Sequence, residues 1–553
     1  YNGLIYIHKL PYCLYVPYCT GHSLRKLLES GLRTPTIVAG PARHLDSFVD
    51  HMANYLITMQ HYFSGAQALS GVELYAGPFV RREKASLKYV EQQVQRLVYN
   101  LNFPSRIGMQ TPFTNFTILL DAAERKLDGE WAVVGGERVG LLGEFIGEAK
   151  LFVLALTRIL GEGDGVGQPF TFPIPTLMAT SRMLYDDSEV FDAIFSTTAR
   201  RGSFYWLNSR IVDPDSSYAM CCRLSIDRRE LDYVNVVDDF NAADFGRRRF
   251  GGLWSIPDVT GSIGVITVNL PRIVLESGGG DARFYERLDE VLDNVRVCGK
   301  WMRERYVKLL EDFPGMYYMI LEYMKGFPSF HFNTVGVLGL PEAAAIFYGS
   351  PKMWFDGCYR DWLNAAEWMR KVVEHIVTRA RSWMAEDGIP WNVEEIPGES
   401  AAAKLAIKDT LRYPEVLKYF ADRENPIYST SIAPYYGEID LPYRVEIESR
   451  VQKCFTGGVM MHIFLGEEPE ADALAEFNKK LVNTDLVYWS FTPAITVCLK
   501  CGRGFTGMLE SCPTCGSEKV EVWSRIIGYY RPLKNWNIYR KREFQNRKHY
   551  PLL

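Results

Sequence analysis

Four cysteines near the end of the chain have the spacing of a metal clamp: Cys498-x2-Cys501-x10-Cys512-x2-Cys515. Each C-x-x-C turns two thiolates toward one ion, and two such turns complete a tetrahedral four-sulfur site of the kind that holds structural Zn2+. Gly502, Gly504 and Gly516 give the backbone the tight knuckles that follow such ligands. With sulfur in all four positions the metal has no open coordination site, so its work is structural. A redox pair or an iron–sulfur cluster is the competing use of the same spacing. Cys221 and Cys222 are adjacent, a pair that in most chains is simply a small buried hydrophobe. Gly528 lies between Ile527 and Tyr529 in "RIIGYYRP", directly behind the clamp. A glycine before aromatics is most often an ordinary turn.

Two further stretches could hold phosphate. "YSTSIAP" offers Ser429, Thr430 and Ser431, and "FTGGVMM" offers Thr456, Gly457 and Gly458. Hydroxyls and closely approached backbone amides ahead of a helix bind anions through N–H donors and the helix dipole. The same residues also serve as helix caps and turns.

These groups need a scaffold. Residues 43–63, 142–160, 282–310 and 362–386 carry apolar positions at helical spacing. Between them run β-rich stretches: "GLIYIHKL", "CLYVPYC", "SIGVITVNL", "HFNTVGVLGL" and "GGVMMHIFL". Strands separated by long helices predict parallel pairing, because parallel strands need crossovers. From 491 the texture changes to Cys, Gly and Pro spacing, then to a basic tail. The reading is one large α/β domain over 1–490, a four-cysteine module over 491–522 and a C-terminal segment over 523–553.

The 553 residues carry a net charge of -4, so no global field draws nucleic acid or an anionic membrane. No run of apolar residues is long enough for a membrane span. Eleven cysteines make a poor disulfide framework in a long chain and predict a reducing, cytoplasmic setting. The chain starts at "YNGLIYIHKL" without Met, so a preceding domain is compatible with the sequence.

In order along the chain, "PFTFPIPT", "MCCR", "TGSIGVITVNLPRI", "NTVGVLGLPE", "PGES", "FTGGVMMHI", the clamp and "RIIGYYRP" resemble the catalytic subunit of anaerobic, class III ribonucleotide reductase, a glycyl-radical family. The resemblance spans essentially the whole chain. It implies a ten-stranded α/β barrel of two parallel five-stranded half-sheets, with a finger loop near 218–224 and a glycyl loop meeting inside. Gly528 then corresponds to the radical glycine. A Cα radical is stabilised by sharing between amide nitrogen and carbonyl, which needs planarity, and a Cβ would crowd that centre. Ile527 departs from the small or polar residue expected beside it.

The resemblance further implies that Cys222 is the thiyl cysteine that removes the substrate's 3′ hydrogen, with Cys221 in place of the family's glycine. Cys19 corresponds to the second active-site cysteine, with Cys13 as its neighbour and competitor. Formate-using members carry Asn-x-Gly where this chain has Ser262. A serine hydroxyl cannot replace a planar amide donor to a carboxylate, so the resemblance leans toward a redoxin-type thiol reductant, which makes Cys221, Ser262 and Cys13 reductant-site candidates.

It also implies ribonucleoside triphosphate substrates, dNTP and ATP effectors, a homodimer, and a separate iron–sulfur, S-adenosylmethionine-dependent activase that installs the glycyl radical. An ATP-binding domain often precedes such chains. Two rivals remain. Another type of glycyl-radical enzyme generally lacks the four-cysteine clamp. A zinc-ribbon nucleic-acid-binding protein would explain the clamp and the basic tail but not "MCCR" or the glycine ending.

Overall fold

A computed structural model describes residues 3–106, 108–123, 130–212, 217–219, 225–227 and 259–551. Its centre is a barrel of ten strands, labelled in chain order. The first half comprises β1 (Cys19–His22), β2 (Gln67–Ser70), β3 (Thr114–Ile118), β4 (Ile174–Met178) and β5 (Tyr205–Leu207). The second comprises β6 (Gly261–Asn269), β7 (His331–Leu338), β8 (Trp391–Glu395), β9 (Met461–Leu465) and β10 (Tyr488–Pro493). Within the first half neighbouring strands pair in parallel. In the second, β6–β7–β8 and β9–β10 are parallel, and a parallel bridge from Glu394 to Gly458 joins β8 to the approach of β9. The halves meet antiparallel at two seams, β1 against β6 and β5 against β10.

The sequence dictates this closure locally. Every residue of β6, β7 and β8 is buried, as expected of parallel strands covered on both faces. Outside them lie the long helices α1 (Asp281–Asp312) and α2 (Tyr359–Asp387). The buried stripe of α2, including Trp362, Ala366, Met369, Val373, Ile376 and Trp383, follows the 3.6-residue period. The helical spacings read from sequence all become helices. "CLYVPYC" does not become a strand: a 3-10 turn forms at Tyr12–Leu14, and β pairing starts only at Cys19. Pro11 and Pro17 flank the intervening stretch, and proline has no N–H for a ladder.

Beyond the barrel, β11 (Ile495–Cys498), β12 (Gly504–Thr506), β13 (Val520–Arg525) and β14 (Tyr530–Pro532) form a small antiparallel sheet. The C-terminal stretch is no solvated tail. It forms helix α4 (Ile538–Gln545), and Trp536 ahead of the helix and Phe544 within it pack with Ala494 and Ile526. Tyr550 then bridges in parallel to Leu465 at the end of β9. No described helix is long and apolar enough to cross a membrane.

Candidate active site

A cavity of about 390 Å³ opens at the end of the barrel where the strands of the first half begin and those of the second half finish. Cys19, the first residue of β1, forms part of its wall and is 1 % exposed. The Ala66 N–H donates to Cys19 Sγ at 3.1 Å. Gly65 makes room for the sulfur, because a Cβ there would lie 2.5 Å from Sγ. The thiol is therefore held in one place by backbone. Another part of the wall is Gly398–Ser400, leading into helix α3 (Ala401–Arg412). Lys9 and Arg531 add positive charge to the same cavity. His8 also lines it, bonded to Thr267 Oγ1 at 2.7 Å, and burial together with Lys9 lowers its pKa to about 3, so it stays neutral near pH 7.

Tyr529 closes the cavity on the side of the small sheet. Its ring lies 5.7 Å from that of Phe172 and 5.9 Å from that of Phe113. Gly528, the preceding residue, sits in the turn Ile526–Tyr529 between β13 and β14, closed by the Ile526 N–H donating to Tyr529 O at 3.2 Å. Its carbonyl accepts from the Tyr205 hydroxyl at the start of β5. Gly528 also faces a separate small void of about 30 Å³ against Pro169–Thr171 and Pro173–Pro175 of "PFTFPIPT". Arg525 anchors the turn to the β5/β10 seam: its Nη1 donates to Phe491 O at 3.2 Å and its Nη2 to Gly202 O at 2.5 Å. Ile527, whose bulk departs from expectation, is 1 % exposed and acts as packing.

The four clamp cysteines meet. Their Sγ atoms all lie within 4.8 Å of one another, with 3.6 Å for Cys498–Cys515 and for Cys501–Cys512. Tetrahedral Zn–S bonds of about 2.3 Å put sulfurs about 3.8 Å apart, so the four residues fit zinc. Cys498 ends β11 and pairs with Val520, at the far end of the strand that leads to Gly528. The module docks closely on the barrel: a Cβ on Gly167 would lie 1.9 Å from Gly502 O.

The other candidates separate. Cys13 does not reach the Cys19 cavity. It is buried in its 3-10 turn against α1, with Tyr306 donating to its carbonyl, and burial with neighbouring Cys298 raises its pKa to about 11. Ser262 pairs in register with Cys19, yet its hydroxyl bonds to Thr334 Oγ1 at 2.7 Å. Cys221 and Cys222 lie outside the described residues. The strands on either side, Ser217–Ala219 and Ser225–Asp227, pair antiparallel, and Ala219 O accepts from Thr117 Oγ1 of β3 at 3.5 Å.

None of the six phosphate candidates is on the cavity wall. Ser429 donates through its N–H and hydroxyl to Glu342, and Ser431 donates to Ala433 O at 2.7 Å. Thr430 Oγ1 is buried without a partner among the described residues. Thr456, Gly457 and Gly458 bond to the β8 backbone and close the barrel seam. The segment that sequence reasoning passed over as a site is "PGES". Its signal was a turn with glycine directly before an Ala-rich helical run.

The family described as anaerobic ribonucleoside-triphosphate reductase matches residues 1–550. The anaerobic ribonucleoside-triphosphate reductase of Escherichia coli (strain K12) is 22% identical over 96% of this chain and 74% of its own length. The protein of the same description from Haemophilus influenzae gives 22%, 96% and 74%. A solved anaerobic ribonucleotide reductase superposes with a TM-score of 0.77 at 26% identity, covering 100% of this chain and 84% of that one. The anaerobic ribonucleotide reductase of Thermotoga maritima, with dATP bound in its specificity site, gives 0.75 at 24% identity over 97% and 85%. With the Cys19 cavity, the glycine turn and the four-sulfur clamp placed on this barrel, the chain belongs to the anaerobic ribonucleoside-triphosphate reductase family.

Proposed function

We propose that this chain reduces ribonucleoside triphosphates to 2′-deoxyribonucleoside triphosphates by glycyl and thiyl radical chemistry. The observation that carries the reading is one cavity bounded both by the buried thiol of Cys19 and by Tyr529, the residue after Gly528. Reduction replaces the 2′ hydroxyl by hydrogen and consumes two electrons and two protons, releasing water. A radical at Gly528 supplies the oxidising equivalent. Cys222, at the finger loop, removes the 3′ hydrogen and returns it at the end of each cycle. Cys19 delivers hydrogen from the opposite face as water leaves, and its fixed sulfur suits a donor that must meet one carbon. Sulfur suits these transfers because its S–H bond is close in strength to the ribose C–H bond.

The nucleotide's phosphates belong at Gly398–Ser400, where the positive end of α3 and the cations Lys9 and Arg531 meet the cavity. The zinc clamp holds the base of the hairpin that carries Gly528, and zinc there supplies cross-linking of the fold. The reductant is a redoxin-type thiol protein, since Ser262 lacks an amide and its hydroxyl is bonded to Thr334. The active form is a homodimer, effectors are dNTP and ATP, and a separate S-adenosylmethionine, iron–sulfur activase installs the radical. A nucleic-acid-binding zinc ribbon is disfavoured because Arg540 and Arg547 of the basic segment are buried and paired with Glu543.

The test is electron paramagnetic resonance after anaerobic activation. A Gly-centred doublet is expected in the wild type and none in Gly528→Ala, with zinc content equal in both. A full-strength doublet in Gly528→Ala would sink the assignment.

A further inference from the structure

The C-terminal helix reaches both the glycine turn and the phosphate wall through one line of charged side chains. Arg547, just past α4, is 5 % exposed. Its Nη1 donates to Arg525 O at 2.9 Å and its Nη2 to Ile526 O at 3.2 Å, the two carbonyls at the entrance to the turn that holds Gly528. Its Nε donates to Glu543 Oε1 at 2.6 Å. Glu543 in turn accepts from Arg540 Nη1 at 2.9 Å, and Arg540 Nη2 donates to Gly398 O at 3.5 Å. Arg540 and Glu543 are three residues apart on α4, and Arg547 follows four residues after Glu543, just beyond the helix end. Burial works against the Glu543 carboxylate, but the two guanidiniums more than offset it and its pKa is lowered.

The geometry of Arg547 is specific. Its planar fork uses two arms on two successive carbonyls and a third N–H on a carboxylate, which a lysine ammonium on one flexible stem cannot reproduce. Aromatic rings hold the fork in place: its carbon lies 4.4 Å from the Phe464 ring centroid and 5.3 Å from that of Trp536. The mechanism above assigns none of these residues a part.

We propose that Arg547 is the positioning residue of the glycine turn, and that Arg540–Glu543–Arg547 ties that turn to the Gly398–Ser400 wall of the nucleotide cavity. The first half rests on bonds to the turn alone; the second rests on the proposed placement of the phosphates. Occupancy of the cavity then tightens the turn through the helix, and an empty cavity leaves it freer to leave its seat.

The test is amide hydrogen exchange of the full-length, zinc-loaded chain, which needs no radical. In Arg547→Ala, exchange over residues 526–529 is expected to rise by about tenfold or more, with residues 520–524 and zinc content unchanged. Arg547→Lys and Glu543→Gln are expected to give smaller increases, and they decide the matter if Arg547→Ala does not fold. With saturating CTP, exchange over 526–529 is expected to slow in the wild type and not in Arg540→Ala. After activation, deoxynucleotide formed per radical is expected to fall about tenfold in Arg547→Ala. Wild-type exchange over 526–529 in all of these variants overturns the positioning role, as does a rise that spreads through 520–524 with loss of zinc. Equal slowing by CTP in Arg540→Ala overturns the tie. Absence of any radical in the wild type refutes the proposed function instead, and leaves the exchange result standing.

Discussion

The Tyr205 hydroxyl donates to the carbonyl of Gly528, joining the first residue of β5 to a glycine 323 positions later. The guanidinium of Arg525 lies over the same phenol ring, 4.3 Å from its centroid. A donor on this carbonyl favours the electron sharing that a planar Cα radical needs, and it also holds the peptide in plane. Tyr205→Phe keeps the ring under Arg525 and removes only the donor. We expect the folded, zinc-loaded variant to accumulate severalfold less radical, or to lose it severalfold faster, the loss of one buried hydrogen bond being about 1 kcal/mol. Spin counts over time check this, and wild-type yield and lifetime would show that the bond is incidental.

The clamp acts on the same turn from its other end. Cys498 pairs with Val520, and the β13 ladder runs from there to Arg525. Replacing any one of Cys498, Cys501, Cys512 or Cys515 by Ser is expected to release zinc and weaken this ladder, because metal binding is coupled to local folding. Chelation of the wild type should do the same, with faster exchange across 495–530 while β6–β8 stay protected. One zinc per chain retained in all four variants would count against the clamp.

Much of this was legible because the contacts are local. Two C-x-x-C turns declare a ligand set without any knowledge of the fold, and the runs in β6, β7 and β9 declare buried strands. What was not legible is where distant segments meet. "PGES" could be quoted as a motif, but only the fold shows that Gly398–Ser400 and Cys19 line one cavity. The phosphate candidates show the complementary difficulty: the hydroxyls of Ser429 and Ser431 look available in sequence and are bonded within the fold. The C-terminal stretch read only as a basic tail because its charge was counted without its spacing. Arg540, Glu543 and Arg547 are spaced three and four residues apart, which marks a bonded set, though not what it grips.

Glu73 gives a pH test of the barrel itself. It is fully buried, with Oε1 accepting from the Leu119 and Leu120 amides at the end of β3, while Oε2 has no partner among the described residues. Burial raises its pKa from 4.5 to about 7 against the pull of those amides. The folded chain therefore holds more protons than the unfolded chain between those values, so this group's contribution falls as pH rises through that window and stays lost above it. The difference is on the order of 3 kcal/mol. Relative to Glu73→Gln, the wild type should lose stability between pH 5 and pH 8. Parallel melting temperatures for the two proteins across that range would refute the shift.

The last prediction concerns the source of electrons. Cys19 is the described cysteine on the cavity wall, while Cys13 is packed against α1 with its thiol disfavoured as a thiolate by burial. Ser262 sits beside Cys19 in the β1/β6 register, but its hydroxyl is engaged by Thr334. A small carboxylate reductant would find no amide donor at this position. On the proposed function the two electrons then come from thiols. Cys222 would recover its hydrogen in each cycle, so Cys19 would be oxidised with a partner sulfur, for which Cys221, next to Cys222 in the sequence, is the candidate. Activated enzyme supplied with a reduced redoxin should form deoxynucleotide over many turnovers, and formate alone should not exceed about one turnover per radical. Cys19→Ser should form no product with either reductant. Cys221→Ser should form no product, because Cys19 alone gives one hydrogen atom and one electron, and the second electron is released only when Cys19 closes a disulfide with Cys221. Sustained turnover on formate alone would place the reductant's recognition at residues other than Ser262, and would remove the need for a disulfide at Cys19.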